Sequence, residues 1–217
     1  MTLLSKWKGW RTRRTVDAVC SGYSDTKHWN FFSQVFADPT ILDICILGVY
    51  RGRDLAYIAS ILESYGRRNY NLIGVDKFED TYGADWPSSL RNLSWEQAGF
   101  GKPPDMDVAQ ENLRTLNLDK NVKLVRSTAQ DYLQSCTSRF HFIYIDISHD
   151  YETTLETIDL ALSKLTPRGF LGGDDFSDQG NWGVASAVRD SFSKYEVFSE
   201  WIWTARSEHY TRAHISV

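Results

Sequence analysis

Apolar residues in this chain fall into short runs separated by stretches of helical spacing. Thr40–Leu47 (TILDICIL), Tyr70–Val75 (YNLIGV), Val122–Val125, Phe140–Ile145 (FHFIYI) and Phe170–Gly173 are apolar runs of strand length. Such runs suit strands covered on both faces. Leu55–Tyr65, Val108–Leu118, Asp150–Leu165 and Val184–Lys194 read as the intervening helices. Gly66 is the expected stop of the first helix, and Pro167 with Gly169 the expected stop of the third. Tyr195–Ala205 and Glu208–Val217 read as a closing β-hairpin, and residues 1–37 as a helical lead-in. This alternation predicts an α/β fold with a doubly wound, Rossmann-like sheet. Its seven strands are expected to be mostly parallel, with the C-terminal hairpin antiparallel. The expected domain limits are 1–38 for the lead-in and 39–217 for the α/β domain.

Ligands of such sheets sit beyond the carboxyl ends of the strands. Four acids fall at those ends: Asp76, Asp146, Asp174 and Asp175. One would pass as a turn former or helix cap, whereas four at one edge point to a shared site. Between about residues 79 and 107 no element is legible, and a connection of that length suggests a lid or binding loop. It holds Tyr82, Trp86, Trp95 and Phe100, which form either a small core of its own or an aromatic wall over a substrate.

Composition narrows the picture. Hydrophobic residues at 42% and charged residues at 24% are ordinary for a globular chain, which argues against disorder. A net charge of −4 disfavours a dedicated nucleic-acid binder. No apolar run approaches a membrane span, so neither nucleic acid nor membrane is an expected partner. Cys20, Cys45 and Cys136 match neither a disulfide framework nor a zinc ligand set; a reducing, cytoplasmic interior is expected. Lys6, Lys8, Arg11, Arg13 and Arg14 form a basic run, read first as a solvated helix face and second as a contact for an anionic partner. The lead-in helices and the surplus of tryptophan offer a surface for a homo-oligomer.

The loop Gly48-Val-Tyr-Arg-Gly52 links the first strand to the first helix of the sheet. Its glycines permit a tight turn and close backbone approach to a ligand, and the helix N-terminus beyond favours polar or negative groups. The dinucleotide fingerprint GxGxxG is absent, because its second and third glycines would fall at Tyr50 and Arg53. The P-loop lysine is absent too. Hydride and phosphoryl transfer are therefore disfavoured. Asp76 ends the second strand, where a carboxylate can accept hydrogen bonds from both hydroxyls of a ribose.

Leu47-Gly-Val-Tyr-Arg-Gly52, Phe142-Ile-Tyr-Ile-Asp-Ile-Ser-His-Asp-Tyr151 and Leu165-Thr-Pro-Arg-Gly-Phe-Leu-Gly-Gly-Asp-Asp-Phe176 together resemble the class I S-adenosylmethionine-dependent methyltransferases. Within them the chain is most similar to the small bacterial metal-dependent sugar and macrolide O-methyltransferases. The likeness spans roughly residues 39–200. It implies a cofactor cradle at Gly48, Tyr50 and Gly52, a ribose contact at Asp76, an adenine contact at Thr128 and Ala129, and a further cofactor contact at Asp146. It also implies a divalent metal on Asp146, Asp174 and Asp175. The family usually carries an acid two residues before the first glycine; here that position is Ile46, so a contact near the methionine end of the cofactor must come from elsewhere.

Three converging carboxylates would repel one another, and a hard cation such as Mg²⁺ relieves that repulsion. Such a cation would orient a substrate hydroxyl and lower its pKa. His149, three residues after Asp146, is the candidate general base; its bland reading is a structural histidine. His28, His141, His209 and His214 have no motif context and read as structural or exposed. The expectation is a Mg²⁺-assisted methyl transfer from S-adenosylmethionine to a hydroxyl of a small-molecule substrate. The rivals are a metal-independent N- or C-methyltransferase with His149 as base, and a degenerate cofactor-binding protein that serves as an interaction partner.

Overall fold

The computed structural model describes residues 3–81, 92–180 and 182–212. Tyr82 and Trp86 of the expected aromatic wall lie outside them. Two helices, α1 (Leu3–Val19) and α2 (Thr26–Val35), precede β1 (Asp43–Leu47). The alternation then runs α3 (Arg53–Ser64), β2 (Asn71–Asp76), α4 (Met106–Thr115), β3 (Val122–Arg126), α5 (Ala129–Ser135), β4 (Phe140–Ile145), α6 (Tyr151–Leu162), β5 (Leu165–Gly173) and α7 (Val184–Ser191). β6 (Glu196–Phe198) and β7 (Ile202–Arg206) close the chain's sheet. The seven strands lie in the order β3-β2-β1-β4-β5-β7-β6. The first five in that order are parallel, and β7 runs antiparallel to both β5 and β6.

The apolar runs are buried on both sides, as their composition requires. Ile44 and Ile46 face a core built with Trp29, Phe32, Leu55, Ala109 and Tyr144. Cys45 and Leu47 face the opposite core, with Leu133, Ile143, Ile158, Leu171 and Val188. Hence α1 to α4 cover one face and α5 to α7 the other. The lead-in belongs to the first core: Val16, Cys20 and Phe36 are each at most 1% exposed, and the Tyr57 hydroxyl donates to Asp17. No helix among the described residues is long and apolar enough to cross a membrane.

Three sequence expectations need correction. Pro167 and Gly169 do not close a helix. α6 ends earlier, at Leu162, and both residues lie inside β5, opposite a register irregularity in β4. The antiparallel hairpin lies wholly within 196–206, turning at Ser199 and Glu200 with φ of 52° and 73°. Residues 207–209 form a 3₁₀ turn, and Tyr210 makes one bridge to Phe192. Finally, α5 begins at Ala129, where no helix was expected. Thr128 caps it by accepting a hydrogen bond from the Asp131 amide.

Candidate active site

The sheet order reverses between β1 and β4, and the carboxyl ends on either side of that point are tied in register. The Gly48 amide donates to Val75 O at 2.8 Å, the Asp146 amide to Leu47 O at 2.8 Å, and the Asp174 amide to Ile145 O at 3.0 Å. These bonds extend the ladder one residue past each strand, which is why acids far apart in sequence share one edge. A Cβ built on Gly48 would lie 1.6 Å from the carbonyl oxygen of Asp146. The glycine loop and the fourth-strand acid are therefore in direct backbone contact, closer than any side chain permits.

Asp76 organises the loop from the neighbouring strand. Its Oδ2 accepts the amides of Val49 at 2.8 Å and Tyr50 at 2.9 Å, and its Oδ1 accepts the Phe78 amide at 2.7 Å. Both lone pairs of Oδ2 are thus engaged, while Oδ1 keeps one for a further donor. Tyr50 holds φ at 53°. Its ring packs 5.4 Å from Tyr23 and 5.4 Å from Trp95, and its hydroxyl donates to Lys102 O at 2.7 Å. Phe100 completes the group, with its carbonyl accepting the Tyr23 hydroxyl. The glycine loop thus meets both the α1–α2 connector and the segment before α4. Gly52, at φ +88°, precedes α3 with no side-chain cap, so that helix end keeps its N–H groups for other acceptors. Thr128 and Ala129 stand at the head of α5, beyond β3.

The acids lie beside this loop. One ligand atom each from Asp146, His149 and Asp175 falls within 4.8 Å of the others, and all three residues are half-buried. Among the described residues Asp174, expected as a ligand, is not in this group, and His149 stands in it instead. His149 Nε2 is 2.7 Å from Asp175 Oδ2, and its ring packs 4.4 Å from Trp182, which meets Trp201 at 6.0 Å. Asp175 holds φ at +57°, a backbone state that bends its side chain's neighbourhood sharply after β5. Burial, followed by the charges of Asp174, Asp175 and Asp54, pushes the Asp146 carboxyl well above the usual carboxylate range. This crowding of negative charge is what a bound cation would relieve.

Two further members carry no motif in the sequence. His28, the third residue of α2, places Nε2 2.6 Å from Asp174 Oδ2, and its Nδ1 accepts the Asp25 amide at 3.1 Å. Asp174 Oδ1 accepts the Asp175 amide at 2.9 Å. Burial alone would lower the His28 pKa. The Asp174 hydrogen bond and the charges of Asp54 and Asp174 outweigh it and raise the value to about 10. Asp54, in the first turn of α3, is 7% exposed, and its Oδ1 has no partner among the described residues. Burial raises its pKa, against the opposing pull of His28 and a Ser24 hydrogen bond. Ile46, where the resemblance would place an acid, is wholly buried in the core, so Asp54 is the carboxylate nearest in sequence beyond the loop.

The sequence between residues 45 and 176 matches a family model described as a methyltransferase domain. No curated protein matches the sequence. Among solved structures, the O-methyltransferase NovP aligns at TM-score 0.66 and 16% identity, over 83% of this chain and 79% of its own. An O-methyltransferase from Bacillus cereus in complex with SAH aligns at TM-score 0.58 and 15% identity, over 95% and 91%. A putative rRNA-methylase from Clostridium thermocellum aligns at TM-score 0.55 and 12% identity, over 86% and 100%. At these identities the likeness is one of fold.

Proposed function

The chain belongs to the methyltransferase-domain family, and from that premise we propose that it moves the methyl group of S-adenosylmethionine to a hydroxyl of a small molecule, with a divalent cation at its acidic edge. The observation that carries this reading is the contact of the Gly48 loop with Asp146, which sets a cofactor cradle and a carboxylate cluster side by side. In this reading Gly48, Tyr50, Gly52 and Asp76 cradle the methionine and ribose parts, and Thr128 and Ala129 border the adenine. The buried, unpartnered oxygen of Asp54 fits a cofactor that carries an ammonium group.

Asp146 and Asp175, whose oxygens converge, would hold the cation, and the oxygens of Asp174, the residue before Asp175, would complete the set; such oxygens suit Mg²⁺ or Mn²⁺. When bound, it would supply the positive charge that makes an acceptor hydroxyl more acidic. His149 takes the acceptor's proton, and Asp175, 2.7 Å from Nε2, stabilises the imidazolium that results. Trp182 and Trp201 beside His149 suit an acceptor with a ring face, a sugar or an aromatic. The acidic edge and the net charge of −4 disfavour a nucleic-acid substrate. The unpaired cysteines suit a reducing, cytoplasmic setting, and the exposed Trp10 of α1 suits a homo-oligomer contact.

Calorimetric titration of S-adenosylhomocysteine, followed by Mn²⁺, tests the proposal. Micromolar or tighter binding of the first and saturable binding of the second are expected. His149→Gln should keep cofactor binding and lose turnover. Cofactor binding without any cation binding would favour metal-independent transfer to nitrogen or carbon. Absence of both would leave a degenerate interaction protein as the better reading.

A further inference from the structure

We propose that His28, from the lead-in helix α2, is a positioning residue that fixes the Asp174 carboxylate for the divalent cation. This rests on the metal reading above and goes beyond it, because it makes the N-terminal helices part of the site.

Asp174 sits in a crowd of like charge, with Asp54 and Asp146 both sensing it. Two contacts hold its side chain: the Asp175 amide on Oδ1 at 2.9 Å and His28 Nε2 on Oδ2 at 2.6 Å. Both donors come from the chain, and each oxygen retains a lone pair for a cation. His28 is itself held. It is the third residue of α2, and its Nδ1 accepts the Asp25 amide at 3.1 Å in a capping box. Nε2 carries a proton toward Asp174 in both forms of the ring: in the neutral ring Nδ1 accepts the Asp25 amide, and in the imidazolium Nδ1 donates to Asp25 Oδ1 at 3.2 Å. The helix beneath cannot drift, because Trp29, Phe31 and Phe32 are at most 8% exposed. The ring is thus fixed at one nitrogen by the helix start and presents the other to the carboxylate. Partners of this kind orient metal-binding groups, and their removal typically costs about 10–100-fold in metal affinity.

Mn²⁺ binding, followed by loss of the free-ion paramagnetic resonance signal, tests the assignment in four proteins. Wild type should bind. His28→Ala should bind about 10–100-fold more weakly, with S-adenosylhomocysteine affinity in EDTA unchanged. His28→Gln, which keeps an N–H donor near the same place, should recover most of the loss. Phe32→Leu loosens α2 without touching Asp174; it should melt earlier and bind Mn²⁺ as wild type does. Wild-type affinity in His28→Ala, or equal losses in His28→Ala and Phe32→Leu, would overturn the inference and leave the metal reading standing. A wild-type protein that binds no Mn²⁺ would overturn the metal reading, and the inference with it.

Discussion

Gly48 and Gly66 both stand in the left-handed region, at φ +97° and +79°, yet their surroundings differ completely. A Cβ on Gly48 meets the Asp146 carbonyl at 1.6 Å, whereas one on Gly66 meets nothing within 4 Å. Gly66→Ala should therefore cost only the backbone penalty, about 1–2 kcal/mol. Gly48→Ala should cost more than about 4 kcal/mol or prevent folding, because two backbones must part. Equal losses in urea denaturation would refute the close packing of loop and strand end. At this scale the sequence showed the acids, because a carboxylate that ends an apolar run marks itself. It did not show His28, whose partner lies 146 positions away with no motif linking them. Asp54 was hidden differently: an acid in a helix's first turn is an ordinary dipole partner, and only the fold reveals that it is buried.

The element that joins the lead-in to the sheet domain is α3, through its first residue. Arg53 Nε donates to Cys20 O at 2.8 Å, and Nη2 to the same oxygen at 2.6 Å. Its Nη1 reaches Ser24 O at 2.8 Å. Replacing Arg53 with Met keeps the stem and removes the fork. The expected result is a loss of about 2 kcal/mol and faster amide exchange across residues 20–25, with the strands unaffected. Unchanged exchange there would show that the connector is held by other contacts. Strands were the legible elements, since burial on both faces leaves little room for polar residues. The errors arose where local signals conflict with pairing. Pro167 and Gly169 look like helix punctuation, but they occupy a stretch of β5 that pairs irregularly with β4. Ser199 and Glu200 adopt positive φ without glycine, so the hairpin turn carried no sequence mark. α5 is seven residues long, too short for a periodic signal.

For the whole molecule, the buried thiols and phenols set the alkaline limit. Burial raises Cys20 from 9.0 and Tyr70 from 10.0, each to about 12, and lifts Cys45 and Tyr144 well above their ordinary values. A raised pKa means that the folded state favours the protonated form. Its contribution is complete below the unfolded value and is lost as pH climbs through the folded one. The melting temperature should therefore hold up to about pH 9 and fall steadily toward pH 12. A flat profile across that window would refute burial of these groups.

The bond between His28 and Asp174 also has a consequence during synthesis. A ribosome releases α2 long before β5 exists, so Phe31, Phe32 and Phe36 must wait for the strands that cover them. β4, central to the sheet beside β1, supplies Phe142 and Tyr144 to that same core only after some two-thirds of the chain has emerged. A nascent protein halted before that point carries an uncovered aromatic helix, which is a natural substrate for a chaperone and a prompt for aggregation. The aromatic face of α2 is closed later still, where Phe31 packs 5.9 Å from Phe198 of β6, so the bond to Asp174 forms before the fold is complete.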